Sequence, residues 1–159
     1  MRIGALLCYN GCMNISIEFN NKTESPIADD FLVLVAQKTI EFSGYDFLEK
    51  KNISISMAAV SEGEIRELNR EYRKNDNVTD ILSFCEYETS EELKAIKEED
   101  VFLGELILCY NDIKKYAEEK GIELQQEIAN VFSHGVLHLL GFSHGKEMFS
   151  IQKKITDKI

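Results

Sequence analysis

The chain has three histidines among its 159 residues, and all of them fall in one short segment, His134-Gly-Val-Leu-His138-Leu-Leu-Gly-Phe-Ser-His144. A separation of four stacks His134 and His138 on the same face of a helix. Gly141 can adopt the left-handed conformation that ends helices, so the chain can turn back and bring His144 toward the other two. Three neutral imidazoles converging from a helix and the turn after it are the donor set of a catalytic zinc site, with a fourth position left for water. The competing reading, two core histidines and a surface one, leaves two stacked imidazoles on a buried face in need of partners. The spacing therefore predicts one zinc ion per chain, held by His134, His138 and His144.

The pattern H-x-x-x-H-x-x-G-x-x-H is also that of the metzincin proteases, with one difference. Those enzymes carry a glutamate after the first histidine as the general base that activates water on the metal. Here the position is Gly135. Glycine cannot take a proton, so peptide hydrolysis by that mechanism is disfavoured, and glycine is expected to leave room for a bulky substrate beside the metal.

The elements that must position these residues read as one α/β unit without repeats or a Pro- or Gly-rich linker. Residues 14–19 alternate as a strand does, and residues 52–60 form a second strand. Residues 27–42 read as a long helix opened by Pro26, the chain's one proline, at the first helical position. Ser61-Glu-Gly-Glu64 is a capping box that starts a helix running to about Tyr72. Residues 79–87 and 102–109 are the third and fourth strands. Asn111 or Asp112 can cap a helix that Gly121 ends. Residues 122–140 then hold the ligand helix, where a polar line of Glu127, Asn130, His134 and His138 runs between apolar stripes. Glu127 and Asn130 are candidates to hold an imidazole N–H; the alternative is an exposed polar stripe. Strands and helices that do not strictly alternate favour α+β, a single domain with a mixed sheet of about four strands packed with helices.

Composition agrees with a small globular enzyme: 44% of residues are hydrophobic, 29% are charged, and no run approaches the 18 apolar residues of a membrane span. The four cysteines, Cys8, Cys12, Cys85 and Cys109, form no CxxC pair, which suits a reduced, cytoplasmic protein. The short apolar run near the N-terminus has a minimal cationic region and no cleavage site, so it does not read as a signal peptide. Residues 1–12 are expected to be an extension or a misassigned start, with the folded domain at 13–159. A net charge of −10 lacks the basic field of a generic nucleic-acid binder. Much of the acid sits in residues 86–100, with seven carboxylates, which read as a solvated loop or short helix. Arg66, Arg70, Arg73 and Lys74, and the lysines after His144, are locally basic and could contact phosphates.

Residues 68–84, which include Tyr72-Arg73, Asp76 and Thr79-Asp80-Ile-Leu-Ser-Phe84, together with Leu103-Gly-Glu-Leu-Ile107 and the histidine segment, resemble the YbeY family of bacterial metal-dependent endoribonucleases that mature ribosomal RNA. Met148-Phe-Ser-Ile-Gln152 is similar to the family's closing helix, and the resemblance spans about residues 13–155. Two positions depart from the family pattern. Ser143 replaces the usual aspartate before the third histidine, removing a carboxylate that could orient an imidazole, and Cys85 replaces the usual proline. The resemblance implies a zincin-like arrangement, hydrolysis of single-stranded RNA such as an rRNA precursor, and association with the ribosome or ribosomal proteins, away from membranes.

A guanidinium can bind two non-bridging oxygens of a phosphodiester transition state. From the residues alone, Arg73 is either that group or a surface arginine paired with Glu71 or Asp76. The resemblance points to Arg73, rather than Arg70, near the metal. The assigned catalytic residues are thus Arg73 and, within the metal set, His134; Asp80, Glu105 or a second water remain as general base. Two other classes stay open: a zinc hydrolase of another substrate such as a peptide, and a non-catalytic module whose metal is closed by Cys85 or Cys109.

Overall fold

The computed structural model describes Arg2, Ile3 and residues 13–159. Among the described residues the architecture is α+β, as the order of elements predicted, with helices packed on a mixed sheet. The strands are β1 (Arg2–Ile3), β2 (Asn14–Asn21), β3 (Asn52–Ala59), β4 (Ile81–Cys85) and β5 (Asp100–Leu108). Their order across the sheet is β1-β2-β3-β5-β4. The central strands β2, β3 and β5 run parallel, whereas β4 pairs antiparallel with β5 at one edge. At the other edge the two-residue β1 pairs antiparallel with β2, Arg2 opposite Phe19. The rest of the expected extension, with Cys8 and Cys12, lies outside the described residues.

Period-two alternation decides the faces. Ile15, Ile17 and Phe19 of β2, and Ile53, Ile55 and Met57 of β3, are buried and enter the main core. That face is covered by α1 (Asp29–Ser43), α5 (Leu124–Leu139) and α6 (Lys146–Thr156). The opposite face carries a smaller cluster of Ala58, Val60, Ile65, Leu82, Ile107 and Cys109 beneath α2 (Glu62–Arg73). The expected capping box forms, with the Ser61 hydroxyl accepting from the Glu64 N–H and the Glu64 carboxylate accepting from the Ser61 N–H.

The alternation breaks once, in β5. Phe102 pairs with Ser54, but the next pair is Gly104 with Ile55, so Leu103 is the extra residue of a bulge. Gly104 has φ +134°, and a Cβ there would strike the Phe84 carbonyl of β4. The bulge keeps Leu103 in the core yet turns Glu105 to the opposite face.

Two helix starts differ from expectation. Pro26 is not at the first position of α1, which begins at Asp29 after Ala28. The Ile27 N–H donates to the Ser25 carbonyl at 2.8 Å, and the Asn21 amide bonds both the N–H and carbonyl of Ser25. This turn buries Ile27 before the helix starts. The next long helix, α4 (Tyr110–Lys120), starts from Cys109 rather than from Asn111 or Asp112, because the buried strand end runs straight into it. The acidic segment forms a short surface helix, α3 (Ser90–Lys94), anchored by buried Leu93. No helix among the described residues is long and apolar enough to cross a membrane.

Candidate metal centre and active site

The ligand helix α5 is packed by α1, α4, α6, β4 and β5, and its apolar residues Val131, Phe132, Val136 and Leu139 are buried. Its end is a Schellman motif: the Gly141 N–H donates to the His138 carbonyl and the Phe142 N–H to that of Leu137, with Gly141 at φ +86°. Phe142 then stacks on Tyr45 at a 5.3 Å centroid distance, which fixes the returning loop. His144 is thereby carried back over the helix end, as the sequence predicted.

The three imidazoles meet. Each pair of Nε2 atoms is 3.0–3.1 Å apart. The His138 Nδ1 faces the Phe142 carbonyl at 3.0 Å, an acceptor only, so this nitrogen carries the ring proton and Nε2 is a bare lone pair. The His134 Nδ1 faces the Gln152 Oε1 at 3.3 Å. The orientation of that amide is set from behind, because its Nε2 donates to the Asn130 main-chain carbonyl and to Asn130 Oδ1. His134 is therefore the same tautomer. Two lone pairs point at each other at 3.1 Å with no proton between them, which only a cation relieves. Neutral rings are favoured further because burial, with the neighbouring imidazoles, pushes His134 and His138 below the ordinary histidine range. The triangle of nitrogens is close to the ~3.3 Å ligand edge that four-coordinate zinc at 2.0–2.1 Å requires. The residues fit a metal ion, and no other group of three ligating side chains converges among the described residues.

A cavity of about 830 Å³ opens over the three histidines, lined also by Arg73, Asp80, Ser83, Cys85, Glu127 and Gln152. Arg73 is the last residue of α2, where Lys74 turns left-handed. Its Nη2 donates to the Ser83 carbonyl on β4 at 2.8 Å. Neither partner considered from sequence holds it, since Asp76 pairs with Arg66 at 2.9 Å. Arg70 does not line the cavity. Of the two carboxylates considered as base, Asp80 lines the cavity, whereas Glu105 faces a separate groove with Tyr72 and Phe84 behind the sheet.

Three sequence readings need correction. Gly135 does not make room for substrate: a Cβ there would lie 2.6 Å from Ile81 Cδ1 and 2.9 Å from Leu106 Cδ2, so its smallness lets α5 press on the sheet. Glu127 and Asn130 are not an exposed stripe, since Glu127 is 6% exposed, and neither of them touches an imidazole. Burial above all, and then the charge of Asp80, raises the Glu127 carboxyl. The residue on His134 is Gln152, which sequence reasoning saw only as part of a closing helix; its spacing from Met148 along one helix face was the available signal. As for the thiols, the Cys85 Sγ–H donates to the His138 carbonyl at 3.2 Å, and Cys109 is buried in the smaller core.

Comparison with known proteins agrees with this geometry. The family model described as endoribonuclease YbeY matches residues 17–159. A curated Endoribonuclease YbeY of Bacillus pumilus is 37% identical, over 76% of this chain and 81% of its own length. That of Bacillus velezensis is 33% identical, over 92% of this chain and 96% of the relative. A Thermotoga maritima protein solved in solution superposes with a TM-score of 0.54 at 29% identity, over 89% of this chain and 87% of that one. From the family-model match over residues 17–159 and relatives 33% and 37% identical over most of its length, the chain belongs to the endoribonuclease YbeY family.

Proposed function

We propose that this chain is a metal-dependent endoribonuclease that cleaves single-stranded RNA. The observation that carries this is the pair of opposed imidazole lone pairs in an open cavity that also holds a guanidinium. His134, His138 and His144 would hold one zinc ion. When bound, such an ion supplies a Lewis acid and a nucleophile at neutral pH.

The chain's own groups supply the rest. Arg73 binds non-bridging phosphate oxygens, its position fixed by the bond to Ser83, and neutralises charge that develops there. Asp80 accepts and holds a proton; its Oδ1 already takes the Ile81 N–H at 2.7 Å, which orients the carboxylate. The catalytic domain is residues 13–159, and the substrate is an rRNA precursor, processed in the cytoplasm in association with the ribosome during its maturation and quality control. Family membership and the lack of a histidine-paired base at Gly135 support RNA over a peptide substrate. The thiol proton that Cys85 commits to a main-chain carbonyl supports an open coordination position over a closed structural site.

The test is cleavage of a single-stranded RNA by purified protein, before and after chelation, with metal content measured on the same sample. About one zinc-class ion per chain, activity lost with it and restored on readdition, and most metal lost in His138→Ala are expected. Full metal in His138→Ala overturns the ligand set; cleavage indifferent to chelation overturns the mechanism.

A further inference from the structure

We infer that Gln152 is a positioning residue of the metal centre, the group through which α6 fixes the tautomer and direction of His134. The inference rests on the reading of the three histidines as a metal site. His134 and Gln152 lie on different helices and are 18 residues apart in sequence, yet Gln152 Oε1 accepts from the His134 Nδ1–H at 3.3 Å. Gln152 is 8% exposed and its amide is used at both ends: Nε2 donates to Asn130 Oδ1 at 3.1 Å and to the Asn130 carbonyl at 3.3 Å. Asn130 is one turn before His134 on α5, so the amide clamps two successive turns of the ligand helix.

The choice of an amide has a direction. Rotated by 180°, Gln152 would set its NH₂ against a ring nitrogen and its oxygen against the Asn130 carbonyl, two oxygens with no proton between them. The buried carbonyl therefore locks the amide, the amide locks the ring proton onto Nδ1, and the Nε2 lone pair is left facing the other two imidazoles. His138 achieves the same end through the Phe142 carbonyl, which comes from the main chain of the turn and not from a replaceable side chain. On the same face of α6, one turn earlier, Phe149 lies parallel to the His144 ring at 6.5 Å. The residue before His144 is Ser143, which offers no carboxylate, and among the described residues Gln152 is the side chain that hydrogen-bonds a ligand imidazole from outside the cluster.

Loss of such an outer partner costs 10–100-fold in metal affinity. Zinc affinity is measured by competition with a chromophoric chelator for the wild type, Gln152→Leu, Gln152→Glu and Asn130→Ala, with a thermal melt of each metal-free protein. Gln152→Leu should weaken zinc 10–100-fold while its metal-free melt stays within a few degrees. Gln152→Glu, which keeps an acceptor for the Nδ1–H, should restore affinity to within a few-fold of wild type although it loses the bonds to Asn130. Asn130→Ala should lie between. If Gln152→Leu binds zinc within threefold of wild type, or Gln152→Glu is as weak as Gln152→Leu, Gln152 does not act through the ring. Absence of zinc binding by the wild type instead refutes the metal centre itself, so the two failures are distinguishable.

Discussion

Arg73→Ala should separate catalysis from stability more cleanly than any other change in the cavity. The side chain is exposed and its one hydrogen bond is Nη2 to the Ser83 carbonyl. A bond of this kind at the surface contributes about 1 kcal/mol or less. In a domain of this size that lowers Tm by roughly 2–4 °C. Metal content should not change, because the guanidinium is not a ligand. Loss of one contact to developing transition-state charge costs about 10²-fold or more in rate, close to 2.7 kcal/mol. Catalysis should therefore lose more than twice what folding loses. Arg73→Lys should recover part of the rate, since an ammonium keeps the charge without the planar two-point grip. Arg70→Ala is the control, because Arg70 lies outside the cavity. Single-turnover cleavage of a labelled single-stranded RNA by zinc-loaded protein gives the rate; melting and metal analysis give the rest. Equal rates for Arg73→Ala and Arg70→Ala remove Arg73 from the site.

Two further outcomes follow from packing and burial. Gly135→Ala sets about 1 kcal/mol of helix preference against an overpacking cost of about 1–3 kcal/mol at Ile81 and Leu106, so the melt should fall; Gly63→Ala, whose Cβ meets only Ser61 Oγ at 3.9 Å, should instead raise it, and a rise in both sinks the packing account. Because burial lowers His134 and His138 in the folded protein, unfolding takes up protons, so their contribution to stability is present above the ordinary value of about 6.5 and is lost as pH falls through the lowered folded values. The metal-free Tm should accordingly drop on acidification more steeply in wild type than in a His134→Ala, His138→Ala double variant, and parallel curves for the two proteins count against it.

What the sequence determined is what lies within a few residues of itself. Helical spacing placed His134 over His138, Gly141 supplied the left-handed turn that returns His144, and the Ser61–Glu64 box started α2. Each is settled by backbone geometry over one or two turns, and each is legible without a partner. The tertiary structure decided which element covers which face. Glu105 would share the face of Leu103 by simple alternation, but the bulge at Leu103 shifts the register against β3 and sends it behind the sheet, so that of the two carboxylates considered as base only Asp80 lines the cavity. Gly135 is small because β4 and β5 lie against that turn of α5, and no local pattern reports the distance to a neighbouring strand. Arg73 binds the Ser83 carbonyl instead of a nearby carboxylate because the end of α2 is laid against an edge strand. Gln152 reaches His134 only because α6 folds back along α5, and its role comes from a non-local contact between two helices whose own periodicities carry no record of each other.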